Sequence, residues 1–495
     1  MPEALPRPQS PHDDRRWLIL AAIGIAQLMV VLDVTIVNIA LPSAQLDLGF
    51  SDDDRQWVVT AYALAFGSLL LLGGRLADLF GRKRTFIAGL VGFAGASALG
   101  GAAQSFDLLV AARALQGVFG AVLAPAALSL LATTFTDPAE RGKAFGIYAA
   151  IAGMGGAIGL LLGGALTEAL DWRWCVYVSI LFAVPAAIAS MRLLRHVPIS
   201  TRPQLDVRGA LMASSGLFAL VFGLAHAESD GWGDPITGAS LIGSAVLLAA
   251  FVALQRRVDH ALLPLRVVSD RNRGGSFVAI AMASAGLYGI FLFLTFYLQN
   301  TKGLTALETG LAFLPLSFSI LPTVGIVSTR VLPRTGPRPL VPAGMLTAAL
   351  GLVLLTRIGV DTAYATHVLP SLILIGVGFG LTMAPSFATA TFGVPAHDSG
   401  VASAMVNTSQ QVGGSIGTAL LSTLAVSATT GFVTENGPAP EVLRQAAVEG
   451  YVTAFWWAAG IFAAGALICV ALLRSNARPE VSHGGPEPEP ALARP

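Results

Sequence analysis

Two charged side chains lie inside apolar runs, where chemistry is most readily suspected. Asp33 sits within the run 17–41 and Arg113 within the run 107–134. A charge near the centre of a bilayer costs about 2.5–3.5 kcal/mol on insertion scales, so such residues face a cavity or a partner and mark ion pathways. No other Asp or Glu lies so far from the ends of an apolar run, and Arg113 is the one Lys or Arg clearly inside a span. At 1.5 Å per residue, Asp33 is roughly 12 Å and Arg113 roughly 9 Å below the outer ends of their helices. The matched depth allows an ion pair. For a buried carboxyl in general, a neighbouring Arg favours the charged form and desolvation opposes it, the balance a proton carrier needs. A purely structural ion pair is the alternative reading.

Other residues surround this pair in the sequence. Gln27 and Asn38 share one face of the first helix, while Asp33 lies about 120° away at 100° per residue. Both amides suit either a cavity wall or interhelical hydrogen bonding. Arg113 begins the pattern Arg113, Gln116, Gly117, Gly120 on the fourth helix. On the fifth, Gly155, Gly159 and Gly163, with Gly164 beside them, make a smooth groove for close packing. The loop Gly74–Arg84 contains Asp78, Gly81, Arg82 and Lys83, and its carboxylate could lock onto Arg or the positive end of a neighbouring helix. A short charged turn is the simpler reading of that loop. Tyr288, Phe291, Asn407 and Gln411 are uncharged, and with Gln27 and Asn38 they would suit a broad cavity for amphipathic molecules.

These residues need helices to position them, and the composition supplies helices in a membrane. The 495-residue chain is 54% hydrophobic and 12% charged, with mean hydropathy +0.70. Fourteen apolar runs reach the length needed to cross a bilayer as helices. The first run has no small-residue cleavage site and reads as a retained helix. With a cytoplasmic N-terminus, 24 of the 30 Lys and Arg fall in inside segments and 5 in outside loops. That asymmetry places both termini in the cytoplasm. The expected organisation is an N-terminal tail (1–16), a six-helix bundle (17–194), a linker with two extra helices (195–273), a second six-helix bundle (274–473) and a disordered tail (474–495). The loop motif recurs in degenerate form at Ser328–Arg338, again after the second helix of a bundle. Paired bundles related by a repeat are an alternating-access architecture. Cys175 and Cys469 fall in apolar runs and read as buried hydrophobes, with no disulfide or metal site indicated. No GxxxxGK[ST] loop occurs, which argues against an ATP motor in the chain, and a net charge of +1 gives no sign of nucleic-acid binding.

Together the motifs resemble the major facilitator superfamily, and within it the fourteen-helix drug:proton antiporters, from about Trp17 to Arg474. Gly74–Arg84 is similar to the superfamily's loop motif and Asp33–Pro42 to the first-helix motif of the fourteen-helix exporters. Arg113, Gln116, Gly117 and Gly120 are similar to the fourth-helix motif associated with proton coupling, and Gly155–Gly164 to the antiporter motif. The resemblance implies an all-α membrane protein of the major facilitator fold: two six-helix bundles plus two central helices. It implies a monomer in a bacterial cytoplasmic membrane, without a cofactor, that exports amphipathic drugs or natural products as protons enter through Asp33 and Arg113. Leu160 stands where antiporters usually have Pro, Leu79 where a basic residue is common, and the second-half echo has Pro333 and no Asp. A proton symporter or uniporter taking up a metabolite is a second reading, and a non-transporting membrane sensor a third.

Overall fold

The computed structural model describes residues 13–194, 205–258 and 260–474, with the side chains of Asn38, Leu160 and eleven other residues in that range outside the description. The basic stretch 195–204 and most of both expected tails also lie outside the described residues. Among the described residues, fourteen helices of 19 residues or more follow one another. They are α1 (Asp13–Leu48), α2 (Asp52–Phe80), α3 (Arg82–Gly101), α4 (Phe106–Thr134), α5 (Pro138–Ala169), α6 (Trp172–Leu193) and α7 (Val207–Ser229). Then come α8 (Pro235–Gln255), α9 (Arg271–Phe296), α10 (Ala306–Ile326), α11 (Pro337–Leu355), α12 (Leu369–Ala390), α13 (Ser399–Asn436) and α14 (Pro440–Leu472). No strand occurs among the described residues.

Local chemistry sets the helix starts. Ser105 and Asp171 accept hydrogen bonds from the first turns of α4 and α6, and Thr305 with Glu308 forms a capping box on α10. Several helices outrun their apolar segments. α1 begins at Asp13 and continues through Pro42 to Leu48, and α13 runs on to Asn436. A helix satisfies its own backbone, so it need not stop where the hydrocarbon ends.

Among the described residues, twelve helices are long and apolar enough to cross a membrane, and α5, bent by 46° between 140–156 and 161–169, makes thirteen. Glycine-rich α3, which opens on Arg82, Lys83 and Arg84, falls outside that count. The architecture is compatible with fourteen spans.

The packing is two-fold. Helices α1–α6 form one bundle in which α1 packs on α5 and α6, α2 on α4, and α3 on α4 and α6. In the second bundle α9 packs on α13 and α14, α10 on α12, and α11 on α12 and α14. The sequence order of partners is the same in both. The seam between bundles repeats it, with α5 against α10 and α2 against α13. Helices α7 and α8 break the symmetry: α7 lies on α2 and α13 along one seam, and α8 packs on α7. The linker ends in a short helix, Leu265–Ser269.

Candidate functional site

Inside the first bundle five helices converge on one polar cluster. Arg113, Gln116, Gly117 and Gly120 fall at i, i+3, i+4 and i+7 and so share one face of α4. A Cβ on Gly117 would sit 2.5 Å from the Tyr62 backbone oxygen, and one on Gly120 would sit 3.1 Å from the Phe66 ring. Glycine there lets α2 approach closely enough for Arg113 Nε to donate to the Val58 carbonyl at 3.1 Å. Arg113 Nη1 lies 2.5 Å from Asp33 Oδ2 and also donates to Gln116 Oε1 at 2.9 Å. Gln116 Nε2 donates to Asp33 Oδ1 at 2.8 Å and to Ser97 Oγ of α3 at 2.9 Å. Ser179 of α6 reaches the same carboxylate oxygen at 3.4 Å.

Asp33 is 0% and Arg113 1% exposed. A buried pair of this kind is retained only if the remaining donors and acceptors are met, and removing one partner typically costs about 3–5 kcal/mol. The neutral acceptors around Arg113 matter because they stay in place if Asp33 takes up a proton. Sequence reasoning singled out Asp33, Arg113 and Gln116 but missed Ser97, Ser179 and Tyr62. The two serines sit among small and apolar residues with no spacing that marks them.

The glycines of α5 face two ways. A Cβ on Gly155 would lie 2.7 Å from Val31 Cβ, one on Gly159 2.8 Å from Thr35 Cβ, and one on Gly163 3.0 Å from Ile36 Cγ1. These α1 residues bracket Asp33. Gly156 instead accommodates Phe291 of α9, where a Cβ would come within 2.8 Å of Cζ, and Gly164 lies beside Leu307 of α10. One helix therefore seats the Asp33 helix on one face and the second bundle on the other. Its bend falls at this glycine run without the usual proline, as glycine-rich segments allow.

At the other end of the bundles, on the side with the basic residues, the motif expected as a loop is helical except at Gly81. Gly74–Phe80 ends α2 and Arg82–Arg84 opens α3, and the motif meets α13. Asp78 Oδ1 accepts the Gly400 backbone N–H at 3.1 Å, in the first turn of α13. That turn carries the positive end of the helix dipole. Gly74 allows this contact, because a Cβ there would be 2.6 Å from Ala404 Cβ. Gly81 holds φ +90°, which turns the chain from α2 into α3. Lys83 caps α6 through the Met191 and Leu194 carbonyls at 2.8 and 2.5 Å. Arg75 and Arg82 add positive charge around Asp78. Ser129 and Ser399 bond across the seam at 2.8 Å, and Arg141 donates to Thr391 at 2.8 Å. The degenerate echo lands at the equivalent place, with Ser328 of the second bundle against Gly142 and Gly146 of α5.

The described residues expected to line a cavity each have contacts of their own. Gln27 is buried and accepts from Tyr148 Oη at 2.6 Å. Asn407 is buried and donates to the Ser403 carbonyl at 2.9 Å. Phe291 stacks on Phe313 with centroids 5.1 Å apart, while Tyr288 is 42% exposed. Gln411 fills the notch at Gly67 of α2. The Asn38 side chain lies outside the described residues. An open groove of about 500 Å³ lies near the start of α2 and α4, between Asp54, Trp57, Phe106 and Ala114.

The Major Facilitator Superfamily profile matches residues 23–418. The chain is 49% identical to the puromycin resistance protein pur8 of Streptomyces alboniger over 97% of this chain and 96% of that protein. It is 38% identical to the cephamycin export protein CmcT of Amycolatopsis lactamdurans, covering 82% and 84% of the two chains. A crystal structure of the human organic anion transporter MFSD10 superposes with TM-score 0.64 at 16% identity, covering 93% of this chain and 100% of that one. That last likeness concerns the fold.

Proposed function

Because the chain belongs to the Major Facilitator Superfamily, we propose that it exports antibiotic-class natural products across a bacterial cytoplasmic membrane, driven by inward proton flow. The buried Asp33–Arg113 pair carries this reading. It is an ion pair with neutral hydrogen-bonding partners, inside the membrane, on a helix seated in the glycine groove of α5.

The mechanism follows from the contacts. A proton arriving from outside neutralises Asp33 and leaves Arg113 on Gln116 Oε1 and the Val58 carbonyl. The resulting shift of α1 is passed to α5 with little slack, because the α5 glycines let Val31, Thr35 and Ile36 of α1 pack directly on its backbone. Through Phe291 and Leu307, α5 presses on the second bundle. The basic side, assigned to the cytoplasm by loop charge, is held closed by Asp78 on Gly400 and by Ser129 on Ser399. Opening that side lets Asp33 release its proton to the cytoplasm and exposes substrate sites between the bundles there; closing it with substrate bound, then exchanging substrate for a proton outside, completes a cycle of alternating access. Each proton moving inward supplies about 2.3 kcal/mol per 100 mV of potential. The relatives that resist puromycin or export cephamycin support the antibiotic class of cargo.

The test is puromycin and cephamycin exchange in proteoliposomes under an imposed pH gradient, with Asp33→Asn alongside. Gradient-driven export by the wild type and its loss in the variant are expected. Undiminished gradient-driven transport by Asp33→Asn would overturn the assignment of Asp33.

A further inference from the structure

Tyr62 of α2 forms the aromatic wall of the buried ion pair. The Arg113 guanidinium carbon sits 4.6 Å from the centre of its ring. The ring is 4% exposed and stacks on Phe66 with centroids 5.5 Å apart and planes 12° from parallel. Its backbone is pinned by Gly117, as described above. The Tyr62 hydroxyl is buried and has no hydrogen-bond partner among the described residues. The role of Tyr62 here therefore lies with the face of the ring, which meets Arg113, and not with the hydroxyl.

We propose that Tyr62 is a positioning residue for proton binding, its ring holding the Arg113 guanidinium when protonation of Asp33 releases it. This rests on the reading of Asp33 as the proton site. The negative face of an aromatic ring attracts a cation most strongly where water is excluded. The same face disfavours a nearby anion, so the ring favours the state in which Asp33 is neutral and Arg113 stays charged. The groups around the pair are few. Asp33 comes from α1 and Arg113 and Gln116 from α4; Ser97 and Ser179 come from α3 and α6. From the second bundle, Tyr288 of α9 lies within electrostatic reach of Tyr62. Arg113 is the sole cation contacting the Tyr62 ring among the described residues. Without the ring, a released Arg113 keeps two neutral acceptors and no third contact.

The test is an infrared pH titration of the purified full-length protein, following the carbonyl stretch of a protonated buried carboxyl. Asp33→Asn identifies the band by removing it. Tyr62→Leu is expected to move the midpoint of that band to lower pH by about one unit. Tyr62→Phe and Tyr62→Trp, which keep an aromatic face, are expected to retain the wild-type midpoint even if Tyr62→Leu folds poorly. An unmoved midpoint in Tyr62→Leu, or a midpoint in Tyr62→Phe moved as far as in Tyr62→Leu, overturns the proposal while leaving Asp33 as the proton site. Absence of any band that Asp33→Asn removes overturns both readings.

Discussion

A methyl group added at Gly400 should pry open the basic side of the transporter. A Cβ there would lie 2.7 Å from Asp78 Oδ1 and 2.8 Å from Asp78 Cγ, and would also press on the Gly74 carbonyl. The reciprocal change, Gly74→Ala, would put a methyl 2.6 Å from Ala404 Cβ and 3.0 Å from the Gly400 carbonyl carbon. Backbone atoms at this seam cannot rotate away as a flexible side chain would, so the least costly relief is separation of α2 from α13. Overpacking of this kind costs about 1–3 kcal/mol. Because the strain exists only while the seam is closed, the open fraction should rise by about 5–150-fold. Ser129→Cys is a suitable reporter, since Ser129 is fully buried and bonded to Ser399 across the seam. Its rate of labelling by a maleimide should rise by that factor in Gly400→Ala and in Gly74→Ala. Gly431→Ala, with nothing within 4 Å, should leave the rate unchanged. Cys175, buried within the first bundle, should stay unlabelled, which separates opening from unfolding. Equal labelling of Ser129→Cys in all backgrounds would refute the idea that this seam is a moving gate.

Three further outcomes follow from contacts elsewhere. Gln116→Leu strips partners from Asp33, Arg113 and Ser97 at once, and should lower stability by about 1–3 kcal/mol for each polar group left unmet; an unchanged thermal midpoint in detergent would count against the network. At the C-terminal end of α1, the Trp172 indole and then Arg173 hold the Asp47 carboxyl below its ordinary range. That contribution is fully present above about pH 4 and fades as pH falls through the lowered value, so Asp47→Asn should be less stable than wild type at neutral pH and converge with it in strong acid. A constant gap at every pH would contradict this. The Trp232 indole donates to Thr423 Oγ1 at 2.6 Å, tying the α7–α8 connection to α13. Trp232→Phe and Thr423→Val should each cost about 0.5–1.5 kcal/mol, and the double variant little more than either alone. Full additivity in thermal unfolding would show that the bond contributes nothing.

Much of the architecture was legible because a membrane leaves few choices. Apolar runs long enough to cross a bilayer must be helices, and the six-two-six grouping appears in the packing order of α1–α6 and α9–α14. Asp33 and Arg113 were visible for the same reason: a charge inside an apolar run needs a partner. Helix ends were less legible. α1 and α13 run well past the hydrophobic edge, where nothing in hydropathy marks a stop. Cavity residues were the least legible. Gln27 and Asn407 each bond a group within their own bundle, and an amide in an apolar helix reads the same whether it packs or lines a cavity.

The sequence by itself determined the class of the molecule, its repeat and its two costly charges, because those follow from transfer energies and spacing along one chain. Which helix each residue faces was decided only by tertiary structure. Gly155 and Gly156 are neighbours of one type, yet one seats Val31, two residues from Asp33, and the other seats Phe291 of the opposite bundle. Ser97, Ser179 and Tyr62 gain a role solely because α2, α3 and α6 bring them around Asp33 and Arg113. A serine or tyrosine in an apolar helix has no large transfer penalty to betray it. Its meaning comes from the charge placed next to it in space.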